Sequence, residues 1–336
     1  MSATDVGAAL PRQRIDFAPA LLPLAIALIA APFIGSTSTF VTLTVASLAM
    51  GFMLFTMASG LTLVFGLMDV LNFGHGAFIS VGAYVATLVF APLILWSQAD
   101  SLALNLGVIL LAAFAAAAVC AALGLVFEKI LIQPVYGQHL KQILVTMGGL
   151  IVAEQLLSAL FGPDAIPLSL PTGLRGSFLI GGAAVEKFRL LAVVIGLVVF
   201  AALTLTLNYT KLGLLIRAGV ENREMVEALG YRINRLFVGV FMAGSALAGL
   251  GGVLWSLYRE QVTASMGGDL MVLVFIVVII GGLGSVGGCF LGATLVALIA
   301  NYAGFLAPKF ALVSNIALMV VVLLWRPRGL YPAGGR

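Results

Sequence analysis

The chain has 336 residues, of which 62% are hydrophobic and only 9% are charged, and its mean hydropathy is +1.18. An ordinary soluble domain is roughly 45–50% apolar and about 25% charged, so this composition excludes a soluble globular fold. The formal net charge of +4 comes from basic residues beside apolar runs. Without a basic stripe interleaved with aromatic residues, nucleic acid is not expected as a partner.

Ten apolar runs follow along the chain, and most approach the length of about 20 residues that crosses a hydrocarbon layer roughly 30 Å thick. They lie at 18–35, 41–66, 72–96, 103–127, 142–161, 189–209, 236–257, 270–282, 288–305 and 311–325. The eighth run is too short to span the bilayer, which indicates a half-helix or a re-entrant segment. We predict an all-α, polytopic integral membrane protein with eight to ten transmembrane helices, some of them re-entrant or broken.

The basic residues orient these runs, because loops rich in Lys and Arg stay in the cytoplasm. If the amino terminus is inside, 12 of the 17 basic residues fall in cytoplasmic segments. The predicted organisation is a cytoplasmic segment 1–17, one transmembrane permease domain 18–325 and a cytoplasmic tail 326–336. Residues 1–31 also resemble a cleavable secretory signal, but an uncleaved first span is favoured because further spans follow at once.

The link between the second and third runs carries polar residues among glycines. Gly66 is predicted to end one helix and Asn72 to cap the next, which would start at "FGHGAF", where Gly74 and Gly76 allow close backbone approach. A helix start exposes amides and about half a unit of positive charge, which suits a carboxylate, and broken helices commonly form substrate sites in transporters. We therefore predict that Asn72, Gly74, His75 and Gly76 line a substrate path.

His75 also has a purely structural explanation, as a residue bonded to backbone at a turn, and Asp69 is expected at the cytoplasmic surface. Glu154 is more unusual, because a carboxylate at bilayer depth costs about 3 kcal/mol or more unless it is paired or wet. It either lines the path or is buried against a polar neighbour. Thr146, on the same run, is a further path candidate.

Two loops are long enough to contact partners. The predicted periplasmic loop 162–188 has three prolines and a Gly181-Gly182 pair between short apolar runs, which predicts a small hairpin. The predicted cytoplasmic loop 210–235 carries charges of both signs. Within it, Asn222 suits a helix cap and Gly230 a left-handed helix end, so "REMVEAL" between them is predicted to form a helix of about two turns.

The glycine-rich stretch "GGLGSVGG", at 281–288, separates the eighth and ninth runs. A tight cytoplasmic turn is the plain explanation for it. A re-entrant kink beside the path, whose bare carbonyls would contact solute, is the alternative that makes Gly282 and Gly284 path candidates.

No residue pattern indicates an enzyme. The five lysines are neither preceded by Gly nor followed by Ser or Thr, so a Walker A phosphate loop is absent from the sequence. His75 and His139 lie on different segments, and Cys120 and Cys289 both lie inside apolar runs, where cysteine behaves as a small buried hydrophobe. If ATP drives this protein, the nucleotide binds another subunit.

Five stretches resemble the membrane-spanning permease subunits of branched-chain amino acid ABC importers, in particular the LivH type. They are "GLTLVFGLMDVLNFGHGAFISVGAYVA" (60–86), "QILVTMGGLIVAEQLLSALFG" (142–162), "NREMVEALGYRINRLFVGVFMAGSALAGLGGVL" (222–254), "IGGLGSVGG" (280–288) and "WRPRGL" (325–330). The likeness covers nearly the whole chain and specifies the family but not the solute.

The resemblance implies a heteromeric importer in a bacterial inner membrane. Its other subunits would be a second permease of the LivM type, two cytoplasmic ATPases and a periplasmic solute-binding protein, with ATP and Mg on the ATPases and no cofactor on this chain. The segment that would couple to an ATPase comprises Glu221, Asn222, Arg223, Glu224, Met225, Val226, Glu227, Ala228, Leu229 and Gly230. An ion-coupled secondary transporter of a small carboxylate or amide is the alternative, with Glu154 or His75 as the coupling group.

Overall fold

A computed structural model describes residues 18–221 and 223–332 of the chain. The predicted amino-terminal segment 1–17 and residues 333–336 of the predicted tail therefore lie outside the described residues. Asn222 and its predicted capping role lie outside them as well. The side chains of Glu221, Arg223 and Glu224 are likewise not described.

The described residues form thirteen α-helices and four short strands. The helices are α1 (Ala18–Ile34), α2 (Thr37–Met68), α3 (His75–Phe90), α4 (Ile94–Ser97), α5 (Leu102–Phe127), α6 (His139–Phe161), α7 (Lys187–Tyr209), α8 (Lys211–Glu221), α9 (Arg223–Ala228), α10 (Ile233–Arg259), α11 (Met266–Gly281), α12 (Val286–Leu306) and α13 (Ala311–Trp325). The strands are β1 (Ile166–Pro167), β2 (Ser177–Ile180), β3 (Ala183–Glu186) and β4 (Gln261–Val262). A π-helical turn (Glu128–Ile132) and a 3₁₀ turn (Gln133–Val135) extend α5, and further 3₁₀ turns occupy Thr172–Leu174 and Pro308–Phe310.

Six helices are long and apolar enough to cross a membrane, namely α2, α5 with its extension, α6, α7, α10 and α12. Shorter apolar helices are α1, α3, α11 and most of α13. Together these ten correspond one to one to the ten predicted runs, so the prediction of an all-α polytopic membrane fold is confirmed. The short eighth run is the 16-residue helix α11. The third run, predicted at full length over 72–96, is divided between the 16-residue helix α3 and the first residues of the short helix α4.

Helices α2 and α10 form the centre of the bundle. Helix α10 packs against α5, α2 and α3, while α2 also packs against α12 and α7. Glycine pairs permit the closest approaches, since a Cβ at Gly82 would meet the backbone of Gly249 and a Cβ at Gly60 that of Gly244. Small residues serve this role in bilayers, where packing rather than hydrophobicity drives helix association. Helix α6 lies at the edge, with 11% of its most apolar stretch buried against 56% for α2.

Two sequence predictions about the link after α2 are wrong. Gly66 does not end the helix, which continues to Met68 and stops at Asp69, a residue in the left-handed conformation with φ 54°. Gly66 is instead needed for packing, because a Cβ there would overlap the backbone of Gly284. Asn72 does not cap α3 through its side chain. Its backbone carbonyl accepts from the N–H of His75 (3.3 Å), and Gly74 takes the cap position.

The predicted hairpin in the outer loop is confirmed. Strands β2 and β3 pair in antiparallel fashion, with Ile180 opposite Ala183. The connecting Gly181 and Gly182 both have positive φ, 59° and 83°. A two-residue hairpin turn of this kind favours glycine because it requires positive φ at both positions. A second antiparallel pair, β1 with β4, ties the same loop to the segment between α10 and α11.

Candidate functional site

Helix α3 begins deep inside the bundle rather than at its edge. The imidazole Nε2–H of His75 donates to the backbone carbonyl of Met57 on α2 (2.9 Å). Met57 precedes the end of α2 at Met68 by eleven residues, which corresponds to about 16 Å at 1.5 Å per residue. The short link after Asp69 therefore turns back along α2, and α3 is a half-helix whose amino terminus lies within the membrane-spanning part of the molecule.

Five of the predicted path residues lie at this start of α3, three of them with polar side chains and two of them glycines, Gly74 and Gly76. Asn72, His75 and Thr146 are buried, and the backbone N–H of Phe73 donates to the hydroxyl of Thr146 on α6 (3.1 Å). Among the described residues, both amide atoms of Asn72 and the Nδ1 of His75 have no hydrogen-bond partner. Buried polar groups without partners are uncommon. These atoms therefore make the start of α3 a polar site inside an otherwise apolar bundle.

The amino terminus of α11 lies beside that of α3. A Cβ at Gly76 would come within 2.8 Å of the carbonyl oxygen of Gly267, and a Cβ at Gly267 would meet the carbonyl of Gly76. The side chain of Ser80 connects the two helices, because its hydroxyl donates to the carbonyl of Ala264 (2.9 Å) and accepts from the N–H of Gly267 (2.9 Å). Two half-helices therefore meet at their starts within the bundle.

Three of the four first-turn amides of α11 have hydrogen-bond partners, and Glu154 lies beside the fourth, that of Gly268. Met266 donates to the carbonyl of Thr263 (3.3 Å) and Asp269 to that of Ser265 (3.0 Å), while the amide of Gly267 is taken by Ser80. The carboxylate of Glu154 lies against the remaining residue, Gly268, so closely that a Cβ there would overlap its Oε1. A carboxylate is favourable at this end of a helix, where amides carry partial positive charge. Glu154 is therefore half-buried beside this helix start.

Asp269 is the residue of this region that sequence reasoning missed. Its side chain is exposed, lies close enough to repel the half-buried carboxylate of Glu154, and accepts from the hydroxyl of Ser265 (3.3 Å). The predicted eighth run begins one residue later, so Asp269 lies just outside it. The sequence did contain a signal for this site, because an acidic residue stands directly before an apolar run that is too short to span the bilayer.

Gly282 and Gly284 lie apart from this group, in a tight turn between α11 and α12. Both have positive φ, 98° and 79°, and the hydroxyl of Ser285 accepts from the N–H of Gly288 to cap α12 (3.1 Å). Gly284 packs on α2 at Gly66, six residues beyond the contact of His75 with Gly60. That separation is about 9 Å along the helix.

The inner loop forms two helices rather than one. Helix α8 covers its first part, and α9 corresponds to the predicted short helix. Gly230 ends the helical part of the loop as predicted, with φ 87°. The N–H of Gly230 donates to the backbone carbonyl of Glu227 (2.9 Å), and the N–H of Tyr231 donates to that of Val226 (3.3 Å). This pair of bonds is the Schellman arrangement that satisfies the last carbonyls of a helix.

Side chains of α9 divide between the interior and the surface. Val226 is buried, whereas Met225 and Leu229 are 61% and 70% exposed. A cavity of about 410 Å³ lies between α9 and the start of α10, lined by residues that include Leu215, Val226, Tyr231, Arg232 and Arg235. The loop therefore presents the apolar Met225 and Leu229 on the segment that the buried Val226 anchors, next to basic residues at the start of α10.

Ten apolar helices, with two half-helices meeting inside the bundle, are the architecture of an integral membrane transport protein. Residues 18–323 match the family model of the branched-chain amino acid transport system permease component, and the chain belongs to this family. It is a permease component of an ABC transporter.

Individual relatives agree with this assignment. The permease BraD of Pseudomonas aeruginosa is 29% identical over 280 residues, which cover 81% of this chain and 89% of BraD. LivH of Escherichia coli K12 is 25% identical over 282 residues, with the same coverage of 81% and 89%. The probable LivH of Methanocaldococcus jannaschii is 27% identical over 292 residues, which cover 83% of this chain and 88% of that protein.

A solved inward-facing ABC transporter, described as of metal-chelate type, superposes with a TM-score of 0.45 and 18% identity, covering 92% of this chain and 98% of that one.

Proposed function

We propose that this chain forms one half of the membrane path of a bacterial importer for branched-chain or other small amino acids. The observation that carries the proposal is the family match over residues 18–323. The names of BraD and LivH as high-affinity branched-chain amino acid permeases support the solute class. The excess of Lys and Arg on one side of the spans supports a location in the inner membrane with both termini in the cytoplasm.

The other subunits of the proposed importer are a second permease of the LivM type, two cytoplasmic ATPases and a periplasmic solute-binding protein. ATP and Mg bind the ATPases in this scheme, because the sequence of this chain lacks a phosphate-binding loop. The permease itself binds no cofactor and contacts lipid over much of its apolar surface.

The path is proposed to run along the face where α6 and α11 meet. Glu154 is half-buried and Asp269 is exposed, although both belong to apolar helices. Exposure of a carboxylate to lipid near the bilayer centre costs about 3 kcal/mol or more. We therefore expect this face to contact water or the second permease and not lipid. Helix α6 is also the least buried of the long spans. Asn72, His75 and Thr146 lie behind it, at the start of α3.

Coupling to an ATPase is assigned to α9 and its flanks, residues 221–230. Met225 and Leu229 are exposed on a helix that Val226 anchors to the bundle, which suits insertion into a groove of a cytoplasmic partner. Helix α8 precedes α9 and helix α10 follows it, each after only a few residues. Movement of α9 would therefore be transmitted to the spans, and a mere solvated connector would not need its exposed apolar residues.

Reconstitution tests the whole proposal. Proteoliposomes that contain both permeases and both ATPases should accumulate radiolabelled leucine only when ATP and the solute-binding protein are supplied. Uptake by this chain alone, or uptake that is indifferent to ATP, would show that the proposal is wrong.

A second experiment isolates the coupling helix. Met225→Glu combined with Leu229→Glu should abolish copurification of the ATPases, because two charges replace the apolar contact. Ile130→Glu is the matched control, since Ile130 is 65% exposed on the same predicted side but outside the loop. Undiminished copurification and uptake in the double variant would make α9 a simple connector.

The carboxylate pair of Glu154 and Asp269 favours one alternative, an ion-coupled carrier, because neighbouring carboxylates within a membrane protein commonly take part in proton transfer. That alternative predicts uptake that collapses when an uncoupler is added while ATP is held constant. Persistence of ATP-driven uptake under these conditions would exclude it.

A further inference from the structure

The segment 326–332, which follows the last helix α13, folds back onto the end of α11, and we call it the strap. The N–H of Leu330 donates to the carbonyl of Ile280 (2.9 Å), and the N–H of Tyr331 donates to that of Gly281 (3.0 Å). These carbonyls belong to the last turn of α11, where a helix has no donors of its own. The motif "WRPRGL", which the proposed function does not use, therefore leads into a segment that caps α11.

The strap is packed closely against α11. The side chain of Leu330 is fully buried, and Gly329, with φ 84°, lies so near that a Cβ there would overlap the backbone of Gly282. Within the strap, the N–H of Gly329 donates to the carbonyl of Arg326 (2.9 Å), and Nη1 of Arg326 donates to the carbonyl of Leu330 (3.4 Å). These contacts hold the backbone on both sides of Arg328.

Helix α13, which leads into the strap, has an exposed apolar surface. Its exposed side chains include Val313, Ile316, Val320, Val321 and Leu324. Trp325 ends the helix and is 52% exposed. Tryptophan is enriched at the boundary between membrane and water, where both its apolar ring and its polar N–H are accommodated. Trp325 therefore marks the level at which the chain leaves the hydrocarbon layer.

Two basic side chains follow directly at that level. The guanidinium of Arg326 lies over the ring of Trp325, 4.7 Å from its centroid. The side chain of Arg328 is exposed and forms no ion pair with the residues that the structure describes. A basic residue at a membrane surface attracts anionic headgroups, and a planar guanidinium binds a phosphate through two parallel hydrogen bonds. Arg328 is thus a phosphate-binding group held at the end of a lipid-exposed helix.

We propose that Arg328 binds the phosphate of an anionic phospholipid whose acyl chains lie against the exposed face of α13. The continuity of that apolar face with Trp325 and Arg328 favours a lipid, because a soluble acidic partner would need only the charge. Since the strap also caps α11, the bound lipid stabilises the end of a half-helix whose start lies beside Glu154. The inference takes only the orientation of the chain from the proposed function, which places this lipid in the cytoplasmic leaflet.

The test uses the full chain, with the subunits that copurify with it, in phosphatidylcholine nanodiscs with and without phosphatidylglycerol. Hydrogen exchange measured by mass spectrometry reports on the amides of Leu330 and Tyr331, which exchange when the strap leaves α11. Phosphatidylglycerol should slow this exchange about fivefold, the gain expected from one basic residue at an anionic surface. Arg328→Gln should abolish the slowing. Lys129→Gln is the matched control and should retain it, because Lys129 is exposed on the same predicted side but belongs to the π-helical turn after α5.

Native mass spectrometry provides a second readout, in which phosphatidylglycerol should be retained by the wild type and lost from Arg328→Gln. Equal slowing of exchange in the wild type and Arg328→Gln would overturn the proposal, because the strap would then respond only to the surface charge of the membrane. Loss of the slowing in Lys129→Gln as well would replace a site by general attraction. Reduced copurification of the ATPases with Arg328→Gln, at unchanged lipid retention, would assign the arginine to an ATPase. Failure of the proposed function is distinct, since it would appear as wild-type uptake that is independent of ATP.

Discussion

The carboxylate of Glu154 on α6 contacts Gly268 in the first turn of α11, so closely that a Cβ at Gly268 would overlap the carboxylate. This contact joins the most exposed long span to a half-helix that begins inside the bundle. It also explains how a carboxylate is tolerated within an apolar run, because the amides of a helix start replace part of its lost hydration.

Removal of this carboxylate should destabilise the start of α11. In Glu154→Ala the partly positive start of α11 loses the carboxylate oxygens beside it, and the expected cost is about 1 kcal/mol. Glu154→Gln keeps an acceptor oxygen, so it should retain stability and assembly while altering uptake, because the charge beside Asp269 is lost. Thermal unfolding in mild detergent and leucine uptake measure the two effects. Equal stability of the Ala and wild-type forms would argue against the contact, and unaltered uptake by Gln would limit Glu154 to packing.

The packing of Gly66 against Gly284 predicts strong sensitivity to a single methyl group. In Gly66→Ala the new Cβ would overlap the backbone of Gly284, which cannot rotate away as a side chain can. Overpacking of this kind costs about 1–3 kcal/mol or more. Gly148→Ala is the control, because a Cβ at Gly148 on α6 meets nothing within 4 Å. The unfolding temperature should fall for the first variant alone.

Gly230 and Gly239 form a second matched pair that separates backbone strain from steric overlap. A Cβ would meet nothing within 4 Å at either position, but Gly230 has φ 87° whereas Gly239 lies inside α10. Gly230→Ala should therefore cost about 1 kcal/mol and weaken ATPase copurification, because it disturbs the end of α9. Gly239→Ala should be neutral or stabilising by up to about 1 kcal/mol. The same response in both variants would contradict the role of the left-handed conformation.

The two histidines should differ sharply in their contribution to stability. His75→Ala removes a fully buried ring and its bond to Met57, so a loss of about 2 kcal/mol or more is expected. His139, whose side chain is 56% exposed, contacts Asp69 at 3.9 Å, and His139→Ala should cost less than about 1 kcal/mol. Thermal unfolding of the purified variants compares them. A small effect at His75 would indicate that its pocket fills with water or collapses readily.

Several features of this protein followed from local signals in the sequence. Ten apolar runs became ten apolar helices, because a membrane helix satisfies its own backbone and needs only length and composition. The Gly181-Gly182 hairpin turn and the helix end at Gly230 were also predictable, since each requires a positive φ that glycine adopts without steric cost.

The way in which distant segments meet is visible only in the folded molecule. The amino-acid sequence was enough to predict a polytopic helical membrane protein and to show its permease-like motifs. It did not show that α3 begins about 16 Å back along α2 from the end of that helix. It also did not show that Gly66 packs against Gly284 or that Glu154 contacts Gly268. Nor did it show that Arg175, Arg189 and Arg259 lie around one cavity beside the outer loop. These relations depend on contacts between residues far apart in the chain, which no periodicity or spacing within a single run encodes.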